Sequence, residues 1–140
     1  TPIGELRWPG WATLVPFSAV LAMKAHALML DCYRNGFGAI SDDFDAWWSA
    51  TRHDSEFDAS LCFCVMRDAR LVAFEHCWNS GFIKDLAVSP RMRNQGLGEA
   101  LLRHALVAFK ERGFSEVALK VRLGNAPAQR LYARVGFVEG

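Results

Sequence analysis

The segment from Arg93 to Gly98 has the residue types and the position that phosphate binding requires. It separates an apolar segment from an amphipathic one, so its backbone N–H groups lie at a predicted helix start. Unpaired N–H donors and the positive end of the helix dipole favour an anion there. Gly96 and Gly98 let a ligand approach the main chain without a Cβ in between. Arg91 and Arg103 add positive charge nearby, so the loop predicts a diphosphate site.

Two other phosphate-binding loops fit this segment less well. A dinucleotide-binding loop needs a third glycine where this chain has Leu101. A P-loop needs a Gly-Lys-Ser/Thr sequence, which does not follow here. An ordinary strand-to-helix connection that contains glycine stays open for the loop taken alone.

Composition indicates one globular domain. The chain has 140 residues, of which 51% are hydrophobic and 22% are charged, enough to form a core. A formal net charge of +1 gives no basic stripe, so nucleic acid is not expected as a partner. Pro16, Lys24 and His26 interrupt the apolar stretch from Leu14 to Leu30, so no membrane span is expected.

The cysteines indicate neither a metal site nor a disulfide framework. They lack CxxC spacing and a paired set of histidines, so zinc is not expected. Cys62 and Cys64 would share one face of a strand, which is a poor arrangement for a mutual disulfide. We interpret four residues as buried or reduced thiols of a cytoplasmic protein: Cys32, Cys62, Cys64 and Cys77.

Two helices are predicted near the start of the chain. From Ser18 to Arg34 apolar residues recur at helical spacing, and the segment from Asn35 to Gly38 is predicted to stop this helix. Ser41 is predicted to cap a second, short helix, because aspartates follow it where the helix dipole favours acidic groups.

The middle of the chain is predicted to form antiparallel strands. Two apolar runs, Leu61 to Arg67 and Leu71 to Trp78, are joined by a short polar segment, which predicts a β-hairpin. Phe82 to Val88 is predicted as a third strand after a turn.

The last part of the chain alternates helices and strands. A long helix is predicted from Gln95 to Arg112, and a strand from Glu116 to Val121 must be parallel to the strand before that helix if a right-handed crossover joins them. Asn125 is predicted to cap a last helix that ends at Gly136, and a further strand is expected from Phe137. The whole order predicts an α/β fold with a mixed sheet.

Three segments in the second half follow a known order. Ile83–Pro90 precedes Arg93–Gly98, which matches the pattern Q/R-x-x-G-x-G/A, and Leu119–Tyr132 follows and closes with Val135–Phe137. In this order and at this spacing, they resemble the GNAT superfamily of acetyl-CoA-dependent N-acetyltransferases. The resemblance covers residues 61 to 140 and contributes almost nothing before residue 40.

The resemblance implies a fold as well. It implies a single GNAT-like domain over residues 1–140, with a mixed central β-sheet flanked by helices and two splayed parallel strands that bind CoA. The chain stops four residues after Gly136, so we expect the domain to lack the last C-terminal strand of the family. The sheet edge left exposed would favour a homodimer.

The resemblance also implies acetyl-CoA as the co-substrate and requires no metal. Backbone groups of one strand would pair with the pantetheine arm. Asn125 would contact the same arm or would only cap its helix. The implied cofactor-binding residues are Leu86, Ala87, Val88, Arg93, Asn94, Gln95, Gly96, Leu97, Gly98, Glu99 and Asn125.

Two residues are the implied catalytic groups. Tyr132 is the candidate acid that protonates the departing thiolate, and the alternative is a core tyrosine with a satisfied hydroxyl. Asp85 is the candidate group that helps the acceptor ammonium lose its proton, although Lys84 is a ready partner for it. Glu75, His76 and a water chain are alternatives for that role.

Four aromatic residues have two interpretations. They would form a wall around the acceptor or would simply lie in the core: Trp47, Trp48, Trp78 and Phe82.

The predicted function is that of an N-acetyltransferase. The acetyl group of acetyl-CoA would move directly to a primary amine, either a small-molecule amine or a peptide amine. The alternative is a CoA-binding module of the same fold without turnover, serving as a sensor or an assembly subunit. We expect a cytoplasmic location and neither nucleic acid nor membrane as a partner.

Overall fold

The computed structural model describes residues 7–34, 40–121 and 124–139. They form a five-stranded sheet in the order β1-β2-β3-β4-β5 and four α-helices, which confirms the mixed α/β architecture. The strands are β1 (Thr13–Pro16), β2 (Cys62–Arg67), β3 (Arg70–Trp78), β4 (Phe82–Val88) and β5 (Ala118–Leu119). The helices are α1 (Ala19–Tyr33), α2 (Phe44–Arg52), α3 (Leu97–Glu111) and α4 (Ala126–Val135). Short 3₁₀ turns occupy Ala59–Leu61 and Pro90–Met92.

The predicted hairpin and third strand are confirmed. β2 and β3 pair antiparallel, and Asp68 has a φ of 55° in the turn between them. β4 pairs antiparallel with the other side of β3. A register shift beside Cys77 leaves one extra residue, Lys84, in β4. Such a bulge bends its strand and locally disrupts the ladder.

β5 is shorter than the predicted strand from Glu116 to Val121. Only Ala118 and Leu119 pair with β4, opposite Phe82 and Ile83. The pairing is parallel, as expected for a crossover through α3. Pairing ends at the residue before the bulge in β4, because the bulge turns the next part of β4 away from its neighbour.

The first two helices differ from prediction mainly in one cap. α1 lies within one residue of the predicted limits, and its predicted stop at Asn35 to Gly38 lies outside the described residues. The cap of α2 is Asp43, not Ser41 as predicted, because the Asp43 carboxylate accepts hydrogen bonds from the backbone N–H groups of residues 45 and 46 at 2.9 and 3.4 Å. Ser41 Oγ instead accepts from the Asp43 N–H at 3.2 Å.

The last two helices flank the site described below. α3 begins at Leu97 rather than at the predicted Gln95, because Gly96 has a φ of 82° and therefore cannot be helical. α4 is capped by Asn125, whose side chain accepts from the residue 128 N–H at 3.3 Å, and it ends at Gly136 as predicted. Residues 137–139 form no strand, contrary to the prediction. None of the described helices is long and apolar enough to cross a membrane.

Apolar side chains pack on both faces of the sheet. One layer, between the sheet and α3, includes Leu61, Val65, Val72, Ile83, Leu101, Leu102 and Phe109. The other, between the sheet and α1 with α2, includes Phe17, Ala22, Met29, Trp47, Cys64, Phe74 and Ala87. Because strand residues alternate between the faces, Leu86 and Val88 face the α3 layer, whereas Asp85 and Ala87 face α1.

The cysteines are free, as interpreted from the sequence. Burial raises the pKa of the Cys62 and Cys64 thiols to about 12, and the nearby Cys64 contributes to the increase at Cys62. Such thiols stay protonated at neutral pH and are poor nucleophiles. In the described ranges no group of three or more His, Cys, Asp or Glu side chains is arranged to hold a metal ion.

Candidate active site

A groove of about 820 Å³ opens where β4 and β5 separate. The two strands pair only at their first positions, Phe82 with Ala118 and Ile83 with Leu119. Beyond them, the second half of β4 forms one wall, and Lys120, Val121 and residues of α4 form the other. The splayed parallel strands expected from the sequence are therefore present, and the groove lies between them.

β4 contributes both side chains and main chain to the groove. Asp85, Leu86 and Val88 line it, whereas the Ala87 side chain is 2% exposed and lies on the α1 side of the sheet. Ala87 could therefore meet a ligand only through its backbone. The Val88 carbonyl accepts hydrogen bonds from Cys32 Sγ at 3.2 Å and from Arg93 Nε at 3.3 Å.

The glycine loop and the start of α3 form one end of the groove. Arg93, Asn94, Gly96 and Gly98 line it together with Leu97. A Cβ on Gly96 would meet nothing within 4 Å, so the main chain is open to a ligand at this point. A Cβ on Gly98 would lie 3.2 Å from Leu131 Cδ2, so that glycine lets α3 pack closely against α4.

Two of the predicted cofactor-binding residues, Gln95 and Glu99, have side chains that form contacts within the protein. Gln95 accepts a hydrogen bond from Trp11 Nε1 at 3.1 Å and borders a separate, smaller groove. Glu99 lines the main groove and forms ion pairs with Arg134 at 2.9 Å and with Arg103 at 3.1 Å. The hydrogen bond from Arg134, then that from Arg103, lowers the pKa of Glu99 despite partial burial. Its negative charge beside the loop is thus balanced by two guanidinium groups.

Asn125 and Tyr132 of α4 line the groove from the opposite wall. The Asn125 side chain serves as the helix cap. None of the described residues forms a hydrogen bond with the Tyr132 hydroxyl. The alternative interpretation, a core tyrosine with a satisfied hydroxyl, therefore has no hydrogen-bond partner among them. Burial, and secondarily the nearby Glu75, raises the pKa of Tyr132. The phenol therefore stays protonated at neutral pH and can serve as an acid.

Asp85 has partners from three elements. Tyr33 of α1 donates to its Oδ1 at 2.9 Å, Lys84 Nζ lies 3.2 Å from its Oδ2, and His76 Nδ1 of β3 lies 3.8 Å from the same oxygen. Burial alone would raise the pKa of Asp85, but these three groups outweigh it and hold that pKa below its usual range. Asp85 is therefore an anion at neutral pH, on the wall of the groove.

A model of the acetyltransferase (GNAT) family matches residues 23–137. This chain belongs to the GNAT family. It is 31% identical over 96 residues to the ribosomal protein bS18-alanine N-acetyltransferase of Escherichia coli strain K12, covering 66% of this chain and 65% of that protein. It is 32% identical to mycothiol acetyltransferase of Clavibacter sepedonicus, covering 98% of this chain and 46% of that protein.

Solved structures show the GNAT fold for nearly the whole chain. A GCN5-related N-acetyltransferase from Sphaerobacter thermophilus matches with a TM-score of 0.81 at 22% identity, over 97% of this chain and 44% of that one. The chain thus spans from under half to about two thirds of the length of these three proteins.

The GNAT groove also contains residues that the sequence analysis did not select. Tyr33 and Arg134 line it. Tyr33 is 52 positions from its partner Asp85, and Arg134 is 35 positions from Glu99, so no local spacing pattern relates them. Burial and the negative charge of Asp85 raise the pKa of Tyr33, which keeps its hydroxyl a hydrogen-bond donor.

The four aromatic residues predicted to form an acceptor wall do not lie among the described residues that line this GNAT groove. Trp47 is 6% exposed and packs against His26 and Phe44. Trp48 packs against Phe17. Both tryptophans therefore contribute to the core between the sheet and α1, and an aromatic wall around the acceptor stays a prediction.

Proposed function

We propose that this chain transfers the acetyl group of acetyl-CoA directly to a primary amine. One observation carries the proposal: a single groove is lined by a glycine loop at a helix start, by the part of β4 that β5 does not cover and by Tyr132, whose hydroxyl has no hydrogen-bond partner among the described residues. Family membership supports it, and so do the acetyltransferase names of the relatives.

The groove suits the two chemically different parts of coenzyme A. The loop from Arg93 to Gly98 offers backbone donors, the helix dipole and open space at Gly96 for the pyrophosphate. The backbone of Leu86 to Val88, which β5 does not cover, offers strand-type hydrogen bonds to the pantetheine amides. Asn125 lies beside that path.

Two residues that line the groove carry the groups for acyl transfer. We assign to Asp85 the binding of the acceptor ammonium, because it is an anion that lines the groove. We assign to Tyr132 the donation of a proton to the departing thiolate, because it lines the same groove and stays protonated. Orientation of donor and acceptor in one groove supplies the rest of the rate enhancement.

The acceptor is a primary amine, carried by a small molecule or by a peptide. The relatives include an enzyme named for an alanine of a ribosomal protein and one named for mycothiol, so both classes occur among them. A cytoplasmic location agrees with the four free cysteines. Formation of a homodimer stays a prediction.

The decisive experiment is incubation of the protein and acetyl-CoA with a library of small amines and peptides. Mass spectrometry would identify products heavier by one acetyl group, and a thiol reagent would measure the release of CoA. The Tyr132→Phe variant, purified in parallel, controls for contaminating enzymes. Acetylated amines formed by the wild type and strongly reduced in the variant support the proposal. Binding of CoA without any acetylated product would instead identify a CoA-binding module.

A further inference from the structure

His76 is a buried imidazole without a hydrogen-bond partner. Its side chain is 1% exposed, and neither ring nitrogen has a partner among the described residues. Its ring packs at a steep angle against Trp78, with centroids 4.3 Å apart, and against Phe57 at 6.1 Å. Unsatisfied polar groups at this depth are rare in proteins and call for a specific explanation.

The nearby anion is Asp85. The β3–β4 register places His76 directly opposite Asp85, and His76 Nδ1 lies 3.8 Å from Asp85 Oδ2. That distance is too long for a hydrogen bond and short enough for an ion pair when the ring is protonated. Asp85 lines the groove and His76 is not among the described residues that do, so Asp85 is the residue that connects the ring to the groove.

We propose that His76 receives, through Asp85, the proton that the acceptor ammonium must lose. The proposal rests on the acetyl transfer proposed above. His76 acts through another side chain and never meets the acceptor, so it is a positioning residue rather than a catalytic one. Asp85 binds the ammonium, and His76 holds the proton until the product has left.

The proton balance is simple. One N–H bond of the ammonium breaks, and its proton moves to a carboxylate oxygen of Asp85. Asp85 passes this proton on to His76 Nδ1, which leaves Asp85 an anion beside an imidazolium. The neutral amine then attacks the thioester carbon and displaces the thiolate, which takes the proton of Tyr132. The second N–H proton, lost as the amide forms, replaces the proton on Tyr132. After product release, His76 returns its proton through Asp85 to water.

Other groups near His76 fit this role less well. On the two neighbouring strands, Cys62 of β2 and Asp85 of β4 lie opposite His76, and Lys84 and Tyr33 contact the Asp85 carboxylate. Lys84 and Tyr33 donate to Asp85 and hold the carboxylate in place. Glu75 precedes His76 on β3 and therefore faces the opposite side of the sheet.

The first test is the pH dependence of kcat/KM, measured with the best amine of the library. In the wild type we expect a loss of rate on the acid side with a midpoint between about pH 5 and 8, where histidine ordinarily changes charge. An acid limb from Asp85 itself would lie lower, because its pKa is held below the usual carboxyl range. In His76→Gln we expect a loss of about 100-fold at pH 7. The remaining rate should then rise about tenfold per pH unit until the amine itself is neutral.

His104→Gln is the matched control. His104 lies on α3 against Trp8 and Phe63 and is not among the described residues of the groove. This variant should keep the wild-type pH profile. A His76→Gln profile that is uniformly lowered but parallel to that of the wild type would overturn the proposal, because a merely structural histidine would give that result.

The second test needs no acceptor. The chain contains four histidines, so their ring signals can be followed individually by NMR between pH 5 and 9. We expect the pH response of the His76 ring signals to differ between the wild type and Asp85→Asn, because the variant removes the anion opposite the ring. A His76 signal that does not change over this range, or that ignores Asp85→Asn, would overturn the proposal. If no library amine is acetylated, the proposed function fails, whereas this coupling is still measured.

Discussion

Tyr132 and Asp85 illustrate how burial acts differently on two groups in one groove. Tyr132 has no hydrogen-bond partner among the described residues, so burial raises its pKa. Asp85 is buried too, but the groups around it reverse the effect and lower its pKa. An acid that keeps its proton and an anion that keeps its charge can therefore lie in the same groove at neutral pH.

The clearest kinetic prediction concerns the Tyr132 hydroxyl. Tyr132→Phe removes the proposed acid and keeps the ring, so kcat should fall about 100-fold. KM for acetyl-CoA should change little, because the proposed binding contacts lie along β4 and the loop. Steady-state release of CoA thiol measures both constants. An unchanged kcat would remove Tyr132 from the mechanism.

Glu75 allows a prediction about stability. It is 0% exposed, neither carboxyl oxygen has a partner among the described residues, and burial raises its pKa well above the usual range. The folded protein therefore keeps this proton after the unfolded chain has lost it at about pH 4.3. The resulting contribution to stability is full below that pH and declines as pH rises, by about 1.4 kcal/mol per unit, until the folded group ionises.

Glu75→Gln should remove this dependence. Urea unfolding at intervals from pH 4 to pH 8 would give the free energy of unfolding of both proteins. We expect the variant to gain stability relative to the wild type with every step in pH, with the sign set by the raised pKa. A constant difference across the range would show that Glu75 is not protonated in the folded protein.

At the scale of elements, the start of α3 provides a matched pair of glycines. Gly96 precedes α3 with a φ of 82°, and Gly113 follows it with a φ of 86°, and a Cβ on either would meet open space. Aspartate at either position should cost about 1–2 kcal/mol of stability, because both require a left-handed backbone. Only Gly96→Asp places a carboxylate where the pyrophosphate should bind.

Binding of CoA should therefore separate the two variants. Calorimetric titration should show tight binding to the wild type and to Gly113→Asp, and a loss of at least 100-fold for Gly96→Asp. Thermal unfolding of both variants without ligand would show that their stabilities are similar. Equal binding by the two variants would contradict the assignment of the loop to pyrophosphate.

The elements show which features can be predicted from sequence. The caps of α4 and the hairpin depend on neighbouring residues, and these predictions were confirmed. The length of β5 was predicted wrongly, because it depends on a bulge at Lys84 in a different strand. The α2 cap was predicted two residues early, because several polar residues in succession can each accept the capping hydrogen bonds.

Within the candidate site, too, sequence relates residues that are close in the chain and misses contacts between distant segments. The spacing between Asn125 and Tyr132 places both on one face of α4, so the sequence could relate them. The contact between Tyr33 and Asp85 depends on how α1 lies across the sheet, and no pattern within either segment encodes it. Sequence left His76 as one of three alternatives to Asp85, and only the register of β3 and β4 shows that the two residues lie opposite each other.

At the scale of the whole molecule, the sheet separates two sets of groups. The loop, α3 and α4 lie on one face with Tyr132, whereas α1 and the Asp85–His76 pair lie on the other. The separation of β4 from β5 is the opening that connects them. Donor and acceptor would thus approach from opposite faces of the sheet, and their reaction would occur at the gap.

This arrangement predicts which backbone N–H groups coenzyme A protects from hydrogen exchange. In hydrogen–deuterium exchange at short labelling times, CoA should slow exchange in the loop from Arg93 to Gly98, in the second half of β4 and at the start of α4, which border the groove. β1 and β2 lie on the far side of β3 and should exchange as before. The Gly96→Asp variant should lose the protection in all three segments together, because one ligand causes it. Protection at Trp8 and Pro9 without protection in β4 or α4 would place the cofactor in the smaller groove and contradict the proposed site.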